Sequence, residues 1–474
     1  MEKTGRVSRR TFLSGGSALF LPSKVLGRNG FAPPSEKLNI GFIGIAGGFG
    51  RRALEELSTH NIVAVCDVDW RKPEEQKTNF PAAVDVAAKY ASARRFDDWR
   101  RMLDEMDKGI DAVVICTPDH THAIASITAM KMGKHVFCEK PLAHSVNEVR
   151  AMMAAAHKYK VATQTGVQGH ASEDLRSIVE WIRDGAIGDV KEVHLFEGAR
   201  PKAAGRVGSM RSIYESITHV SDEIPISPEV KWDLWLGPAK ERPYNPMYLP
   251  IRWRGWLDFG TGVLGDHGPH FIDPVVWALD LGFPETIEAE TDPEYDIEKN
   301  KQTFPRMAIV RYAFPARGSK PPVALTWHQN DMPPLPSFLK PEDKIPTGGG
   351  MIVGSKGAIT YGPIYNGKPG TSVTGLVKLY PEELDRDYKR PAKSLPRPES
   401  HWLEWIECAK TGKQTSANFD YGGLVTQIAL LGDIAIRHKG TPLRFDAKKR
   451  KFHGNESANR AFDYYSRPGW ELPT

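Results

Sequence analysis

The chain has 474 residues, more than one hydrophobic core organises, so two domains are expected and three at most. Its make-up, 40% hydrophobic and 26% charged, is that of an ordinary globular chain and excludes a disordered or fibrous one. The formal charge of +5 is uneven: residues 1–36 hold six cations against Glu2 and Glu36, so the rest is almost neutral and gives no electrostatic case for a nucleic-acid partner.

The N-terminal stretch SRRTFLSGGSALFLP pairs Arg9 and Arg10 before Phe12, Leu13 and a short, weakly apolar run. It resembles a twin-arginine export signal, which implies a periplasmic or extracytoplasmic destination reached after folding. Residues 1–36 are therefore set apart as signal and linker. No run of about eighteen apolar residues follows, so no membrane-spanning helix is expected.

From Leu38 to about Thr165, strand and helix patterns alternate. LNIGFIG is a short apolar strand, RRALEEL a helix, and NIVAVCDVD a β-branched strand ending in acid. AAVDVAAKY and DDWRRMLDEM have helical spacing, the latter with Asp97 and Asp98 as capping candidates. IDAVVICTP is a fully apolar strand stopped by Pro118, followed by the helix HAIASITAMKMG. The strand HVFCEKP, the helix NEVRAMMAAAHKY and the strand VATQT complete the series. Such alternation implies a doubly wound parallel sheet over residues 37–165, with ligands beyond the carboxyl ends of its strands.

After Thr165 one helix, SEDLRSIVEWIRDGAIG, precedes longer strand candidates: DVKEVHLFEG, RMAIVRYAF, VALTWHQ, GGMIVGSKGAITYG and GLVKLY. Two helices close the region, SHWLEWIECAKTG and DYGGLVTQIALLGDIAIRHKG. Residues 166–440 thus read as an α+β domain on one large, mostly antiparallel sheet, and residues 441–474 as an extension. The four cysteines, Cys66, Cys116, Cys138 and Cys408, form no C-x-x-C pair and read as reduced packing residues.

Three clusters carry chemistry. The first strand runs into Gly44, Ala46, Gly47, Gly48, Phe49 and Gly50, one residue off the G-x-G-x-x-G spacing. Glycines between a strand and a helix let backbone approach a pyrophosphate at the helix N-terminus. Asp67, at the tip of the second strand, is placed to accept ribose hydroxyls and to repel a 2′-phosphate, which favours NAD; Arg71 nearby leaves NADP open. Glu139 and Lys140 follow the fifth strand on the same rim. Lys140 can polarise a substrate hydroxyl, with Glu139 orienting it or meeting the cofactor; the plainer alternative is a surface ion pair.

The third cluster is GTGVLGDHGPHFID. Asp266 and His270 are four apart and share a face if helical, so Asp266 can orient His270 as a general base. Metal ligation by Asp266, His267 and His270 is the rival, but no third ligand stands at a diagnostic spacing, and no metal is expected. Asp273 is either a helix-face charge or a substrate ligand.

The glycine turn, CDVD, DAVVICTPDHTHA, FCEKPLAHS, TGVQGH and GTGVLGDHGPHFID occur in one order along most of the chain. Together they resemble the Gfo/Idh/MocA oxidoreductases over about residues 37–440. WDLWLGPA, RGWLDFGTG and GWELP are similar to the exported branch of that family. The resemblance implies an NAD(P)-dependent enzyme that transfers hydride between nicotinamide and a carbinol carbon of a sugar, polyol or glycoside. It implies that Lys140 is catalytic, that His270 is the base beside Asp266, and that Thr117, Pro118 and His122 lie near the nicotinamide. Gln168 then lines the cleft, and His267 contacts substrate. Arg200, Arg254, Trp256 and Trp327 are sugar-facing candidates, each with core packing as the alternative. A family relative of another kind, an NAD-dependent glycoside hydrolase with tightly held NAD, uses the same residues for a different net reaction. The resemblance also implies a homodimer or homotetramer.

Overall fold

The computed structural model describes residues 37–76, 79–198, 224–337, 339, 346, 348–363 and 377–473. The expected export segment, residues 1–36, and Arg200 lie outside the described residues.

The first half is built on strands β1 (Asn39–Ile43), β2 (Asn61–Cys66), β3 (Arg94–Phe96), β4 (Ala112–Ile115), β5 (His135–Glu139) and β6 (Thr163–Gly166). All pair in parallel, in the order β3-β2-β1-β4-β5-β6. The order reverses between β1 and β4, which opens a crevice at their carboxyl ends. Helices α1 (Gly47–Glu56), α2 (Pro73–Gln76), α3 (Ala83–Ala88), α4 (Trp99–Glu105), α5 (His122–Lys131) and α6 (Val146–Tyr159) form the crossovers. β4 is buried at every residue, which is why its sequence is an unbroken apolar run. Asp98 caps α4 by accepting from the Arg100 amide at 2.9 Å, as the sequence predicts. β3, with two exposed arginines in three residues, is an edge strand that no apolar pattern announces.

The second half is a nine-stranded sheet in the order β13-β12-β11-β7-β10-β9-β8-β14-β15. Its members are β7 (Val190–Glu197), β8 (Thr286–Thr291), β9 (Ala308–Phe314), β10 (Val323–Gln329), β11 (Gly349–Gly354), β12 (Ala358–Tyr361), β13 (Lys378–Tyr380), β14 (Leu443–Asp446) and β15 (Lys451–Phe452). Among the described residues of this sheet only β7 and β10 pair in parallel. β9 alternates buried and more exposed residues along its length, the pattern of an antiparallel strand with one face on the core. Residues 441–474 contribute β14 and β15 to the edge of this sheet.

The helices here are α7 (Glu173–Arg183), α8 (Trp232–Leu236), α9 (Gly262–Leu279), α10 (Glu382–Asp387), α11 (His401–Thr411), α12 (Phe419–Arg437) and α13 (Glu456–Arg460). α9 is buried at seventeen of eighteen residues and packs on α12. Small residues make that contact close: a Cβ at Gly265 would stand 2.9 Å from the Asp433 carboxylate of α12. α12 is the one described helix long and apolar enough to cross a membrane, with a mean hydropathy of 1.2, but 83% of that stretch is buried within the fold. Its apolar character is that of a core helix.

An aromatic cluster fills residues 230–259: Trp235, Tyr244, Tyr248, Trp253, Trp256 and Phe259 are all buried. It is fastened to the end of β2. The Trp70 amide donates to the Glu229 carbonyl at 3.0 Å, and the Lys231 amide donates to the Val68 carbonyl at 2.8 Å. The Pro- and aromatic-rich stretch therefore forms one wall of the crevice.

Candidate active site

The crevice is a cavity of about 500 Å³. At one end lie Asp67, Gln76, Phe80 and Trp99; at the other lie Glu139, Lys140, Asp266 and His267. Gly44, Ala46, Gly47, Gly48 and Phe49 also line it, as do Leu249 to Ile251, Trp253 and Arg254.

The glycine turn divides its work residue by residue. Gly44 has φ +82°, and a Cβ there would stand 2.7 Å from the Cys116 carbonyl oxygen, so only glycine allows β1 and β4 to end so close. Gly50 packs α1 onto the turn: its Cβ would lie 2.5 Å from the Gly44 carbonyl oxygen. Gly47 and Gly48 have nothing within 4 Å on that side and line the cavity. The altered spacing is absorbed at Ala46, which stands as the residue before a helix starting at Gly47. A bare backbone cradle at the start of a ten-residue helix suits a pyrophosphate. The residues present therefore fit a dinucleotide, from the β2 tip to Lys140.

Asp67 lines the cavity and is bound to backbone amides. Its Oδ2 accepts from the Ile45 and Ala46 amides at 2.9 and 3.1 Å, and its Oδ1 from the Val68 and Asp69 amides at 2.8 and 3.1 Å. A carboxylate offers about four acceptor sites, so these four bonds hold the glycine turn and leave little for a ribose. Burial raises its pKa, and the Ile45 and Ala46 amides oppose the rise. Arg71, which left NADP open, is also committed. Its Nη2 meets Asp69 at 2.6 Å, its Nε donates to the same carboxylate at 2.8 Å, and its Nη1 donates to the Tyr244 hydroxyl at 3.1 Å.

At the reacting end, Lys140 Nζ donates to the Asp266 carbonyl at 2.8 Å and forms an ion pair with Asp266 Oδ1. Arg254 Nε donates to the other carboxylate oxygen, Oδ2, at 2.9 Å. Burial alone would raise Asp266, but Lys140 and then Arg254 hold its pKa well below the ordinary range. The surface ion pair considered for Lys140 is thus replaced by a buried one: the two side chains are 3% and 7% exposed. The sequence expectation had Asp266 orienting His270; here both carboxylate oxygens serve cations. His270 lies one turn further along α9, 2% exposed and behind the cavity wall. Burial and then the Lys140 charge push its pKa well below the usual value, so its imidazole is neutral. His267 lies 3.4 Å from Glu197 and lines the cavity.

Glu139 accepts from Gln168 Nε2 at 2.5 Å. Burial raises its pKa to about 7, with Lys140 opposing the rise. Gly166 makes room for this carboxylate: a Cβ there would stand 2.5 Å from Glu139 Oε2. Gln168 is fully buried and acts on Glu139. Thr117 and Pro118 line the cavity. His122, expected beside them, ties two loops together instead. Its Nδ1 lies 2.9 Å from the Pro141 carbonyl and its Nε2 lies 2.8 Å from the Thr117 carbonyl.

Three substrate candidates prove to be packing residues. Asp273 is 1% exposed; its Oδ1 meets His170 Nδ1 at 2.8 Å and accepts from the Tyr421 hydroxyl at 2.5 Å, a polar knot inside the core. Trp256 packs edge-on against Tyr248, ring centres 4.8 Å apart, while its neighbour Trp253 lines the cavity. Trp327 is fully buried beside Phe271. Trp256 and Trp327 thus take the core-packing alternative, and Asp273 is a buried acid of α9. Among the described residues no group of three or more His, Cys, Asp or Glu side chains could hold a metal ion.

Asp119 was missed. It lines the cavity, is 3% exposed, and accepts from the Thr261 hydroxyl at 2.7 Å. Its signal was an acid directly after a strand-ending Pro on the ligand rim, between Pro118 and His122.

Residues 38–167 match the NAD-binding Rossmann fold of the Gfo/Idh/MocA oxidoreductase family, and residues 211–313 match that family's C-terminal alpha/beta domain. Among curated relatives, a levoglucosan dehydrogenase of Pseudarthrobacter phenanthrenivorans is 31% identical over 33% of this chain and 39% of its own length. An inositol 2-dehydrogenase of Salmonella typhimurium is 29% identical over 39% of this chain and 53% of its own length. The chain thus matches about two fifths to half the length of these relatives. Among solved structures, the WlbA dehydrogenase of Bordetella pertussis in complex with NADH and UDP-GlcNAcA shares the fold. It has a TM-score of 0.54 at 18% identity, over 86% of this chain and 99% of that one.

Proposed function

The chain belongs to the Gfo/Idh/MocA oxidoreductase family, and on that premise we propose that it oxidises a carbinol carbon of a sugar, polyol or glycoside with NAD, or reduces the ketone. The observation that carries this reading is one continuous cavity from the glycine turn to the Lys140–Asp266–Arg254 cluster. A bound nicotinamide supplies the two-electron acceptor. Gly47 and Gly48 give their backbone to the pyrophosphate. Lys140, held by Asp266, donates a hydrogen bond to the substrate oxygen and stabilises the alkoxide as it forms. Asp266 carries a fixed negative charge against two cations, so the cluster has a net positive charge where negative charge develops. Arg254 and His267 bind substrate hydroxyls. His270 is the base for the hydroxyl proton, and burial and Lys140 keep its imidazole in the neutral form that can accept one.

NAD over NADP follows from Arg71, whose guanidinium is spent on Asp69 and Tyr244 and is not offered to a 2′-phosphate. The relatives reported above are dehydrogenases, and no observation favours the NAD-dependent hydrolase alternative. Export and a homo-oligomeric state are part of the proposal; the first rests on Arg9-Arg10 and the residues after them. The test is incubation with NAD and a panel of sugars, polyols and glycosides. NADH formed in proportion to one carbinol supports the reading. An aglycone released without net NADH refutes it in favour of hydrolysis.

A further inference from the structure

The glycine turn contains one large ring. Gly44 and Gly50 account for the close approaches of the turn, and Gly47 and Gly48 for its bare backbone, but Phe49 stands between Gly48 and Gly50. It is the third residue of α1, is half-buried and lines the cavity. Among the described residues it joins none of the hydrophobic clusters, so core packing does not explain an aromatic residue here. What it meets is the lysine of the reacting end: Lys140 Nζ lies over the Phe49 ring, 5.2 Å from its centroid.

We propose that Phe49 is a positioning residue for Lys140: the face of its ring steadies the ammonium group and keeps one N–H bond in reserve for the substrate oxygen. The inference rests on the oxidoreductase reading above. An ammonium group has three N–H donors. The Asp266 carbonyl takes one at 2.8 Å, and Asp266 Oδ1 takes a second. The third is left for the ring or for substrate. The face of a phenyl ring is negative, and it attracts a cation that lies within about 6 Å of its centroid. The attraction strengthens where water is excluded, and the Lys140 side chain is 3% exposed. A ring face is a weaker acceptor than a substrate oxygen. Substrate therefore takes over the N–H bond that the ring holds, and Lys140 keeps both of its bonds to Asp266.

Three elements meet at this ammonium group. α1 brings Phe49, the end of β5 brings Lys140 itself, and α9 brings Asp266. The other cation on Asp266 is held in the same way: the Arg254 guanidinium lies over the ring of Trp253, 4.3 Å from its centroid, and Trp253 also lines the cavity. Both cations that bond to Asp266 thus rest on an aromatic face, and such a face adds attraction without adding charge. Phe49 directly follows Gly47 and Gly48, so the ring that steadies Lys140 is carried by the turn that suits a pyrophosphate. The shifted glycine spacing is what puts an aromatic residue at this point of the turn.

The test replaces Phe49 alone with mono-, di- and trifluorinated phenylalanine. Each fluorine draws charge away from the ring face and leaves the shape of the side chain nearly as it was. The first readout needs no turnover. With lysines isotope-labelled at Cε, the Lys140 nuclear magnetic resonance signal is assigned by its absence in Lys140→Met. It is expected to be shifted upfield by the ring, and to lose that shift in Phe49→Leu. In turnover, kcat is expected to fall stepwise with each fluorine, by about five- to thirtyfold over the series, with little change in dinucleotide affinity. Phe49→Leu, which has no ring face, should lose at least as much. A Lys140 signal that is the same in wild type and Phe49→Leu overturns the proposal. So does a kcat that stays constant across the fluorinated series, because Phe49 then serves by bulk alone. Wild type that forms no NADH from any carbinol refutes the oxidoreductase reading and with it this one. The two failures are distinct, because the Lys140 signal is read without turnover.

Discussion

Replacing Lys140 with Met tests the reacting end most sharply, because the two side chains have similar length and differ in charge. The Lys140 and Asp266 side chains are 3% and 7% exposed, so solvent does little to screen the pair. Removing one partner of such a pair costs roughly 3–5 kcal/mol, because the other charge stays buried. Arg254 still holds Asp266 Oδ2 at 2.9 Å, which places the expected loss at the lower end, about 3 kcal/mol in urea unfolding. Activity should fall by a factor of about 10²–10⁴, since the group facing the developing alkoxide is gone. Dinucleotide affinity should barely change, because the glycine turn that holds the pyrophosphate is untouched. The double variant K140M/D266N removes both charges and should be more stable than the sum of the two single losses by about 2 kcal/mol. Additivity within about 0.5 kcal/mol would refute the buried-pair account. Retention of most activity in K140M would remove Lys140 from the mechanism.

Three further outcomes are expected. NAD should bind at least about tenfold more tightly than NADP, and D69N, which frees Arg71, should narrow the gap; equal affinities in wild type would contradict the role given to the Asp69–Arg71–Tyr244 contacts. G44A should destabilise the first domain by several kcal/mol, roughly the sum of left-handed strain and a clash with the Cys116 carbonyl, and a fully stable variant would show that β1 and β4 do not need that approach. Glu148 sits buried on α6, and burial raises its pKa to about 8, with Ser145 opposing. A carboxyl raised in the folded state binds protons that the unfolded chain has released, so stability falls as pH rises from about 4.5 to 8. E148Q should abolish this component, which is on the order of 4 kcal/mol, read as the difference in unfolding free energy between pH 5 and pH 9.

The parallel sheet was legible because its strands are unbroken apolar runs and its helices have clear 3.6-residue spacing. β4 and the β5 strand ending at Glu139 lie where the pattern puts them. β3, β8 and β14 were not foreseen. RRF, TIEAET and LRFD are short and polar, and only pairing with a neighbouring strand makes them strands. At the site, Lys140, Asp266 and Arg254 could be named from the sequence, but their mutual bonds could not. A spacing of four on α9 suggested that Asp266 serves His270, whereas a residue 126 positions earlier in the chain reaches it from another domain. Asp67 and Asp273 show the converse. An acid at a strand tip or on a helix face looks like a ligand for something, and the fold supplies that ligand internally, as backbone amides in one case and as His170 with Tyr421 in the other. Asp119 was passed over because its meaning comes from burial beside Lys140 and Arg254, which no local pattern encodes.

The most direct test of the central claim is transfer of a labelled hydrogen. The purified protein would be supplied with NAD and a polyol or sugar panel deuterated at the carbinol carbons, and the nucleotide pool analysed by mass spectrometry. The account predicts one deuteron in the reduced nicotinamide for each carbonyl formed, and none in the Lys140→Met variant. Carbonyl or aglycone product formed while the nicotinamide stays unlabelled would contradict hydride transfer at this site.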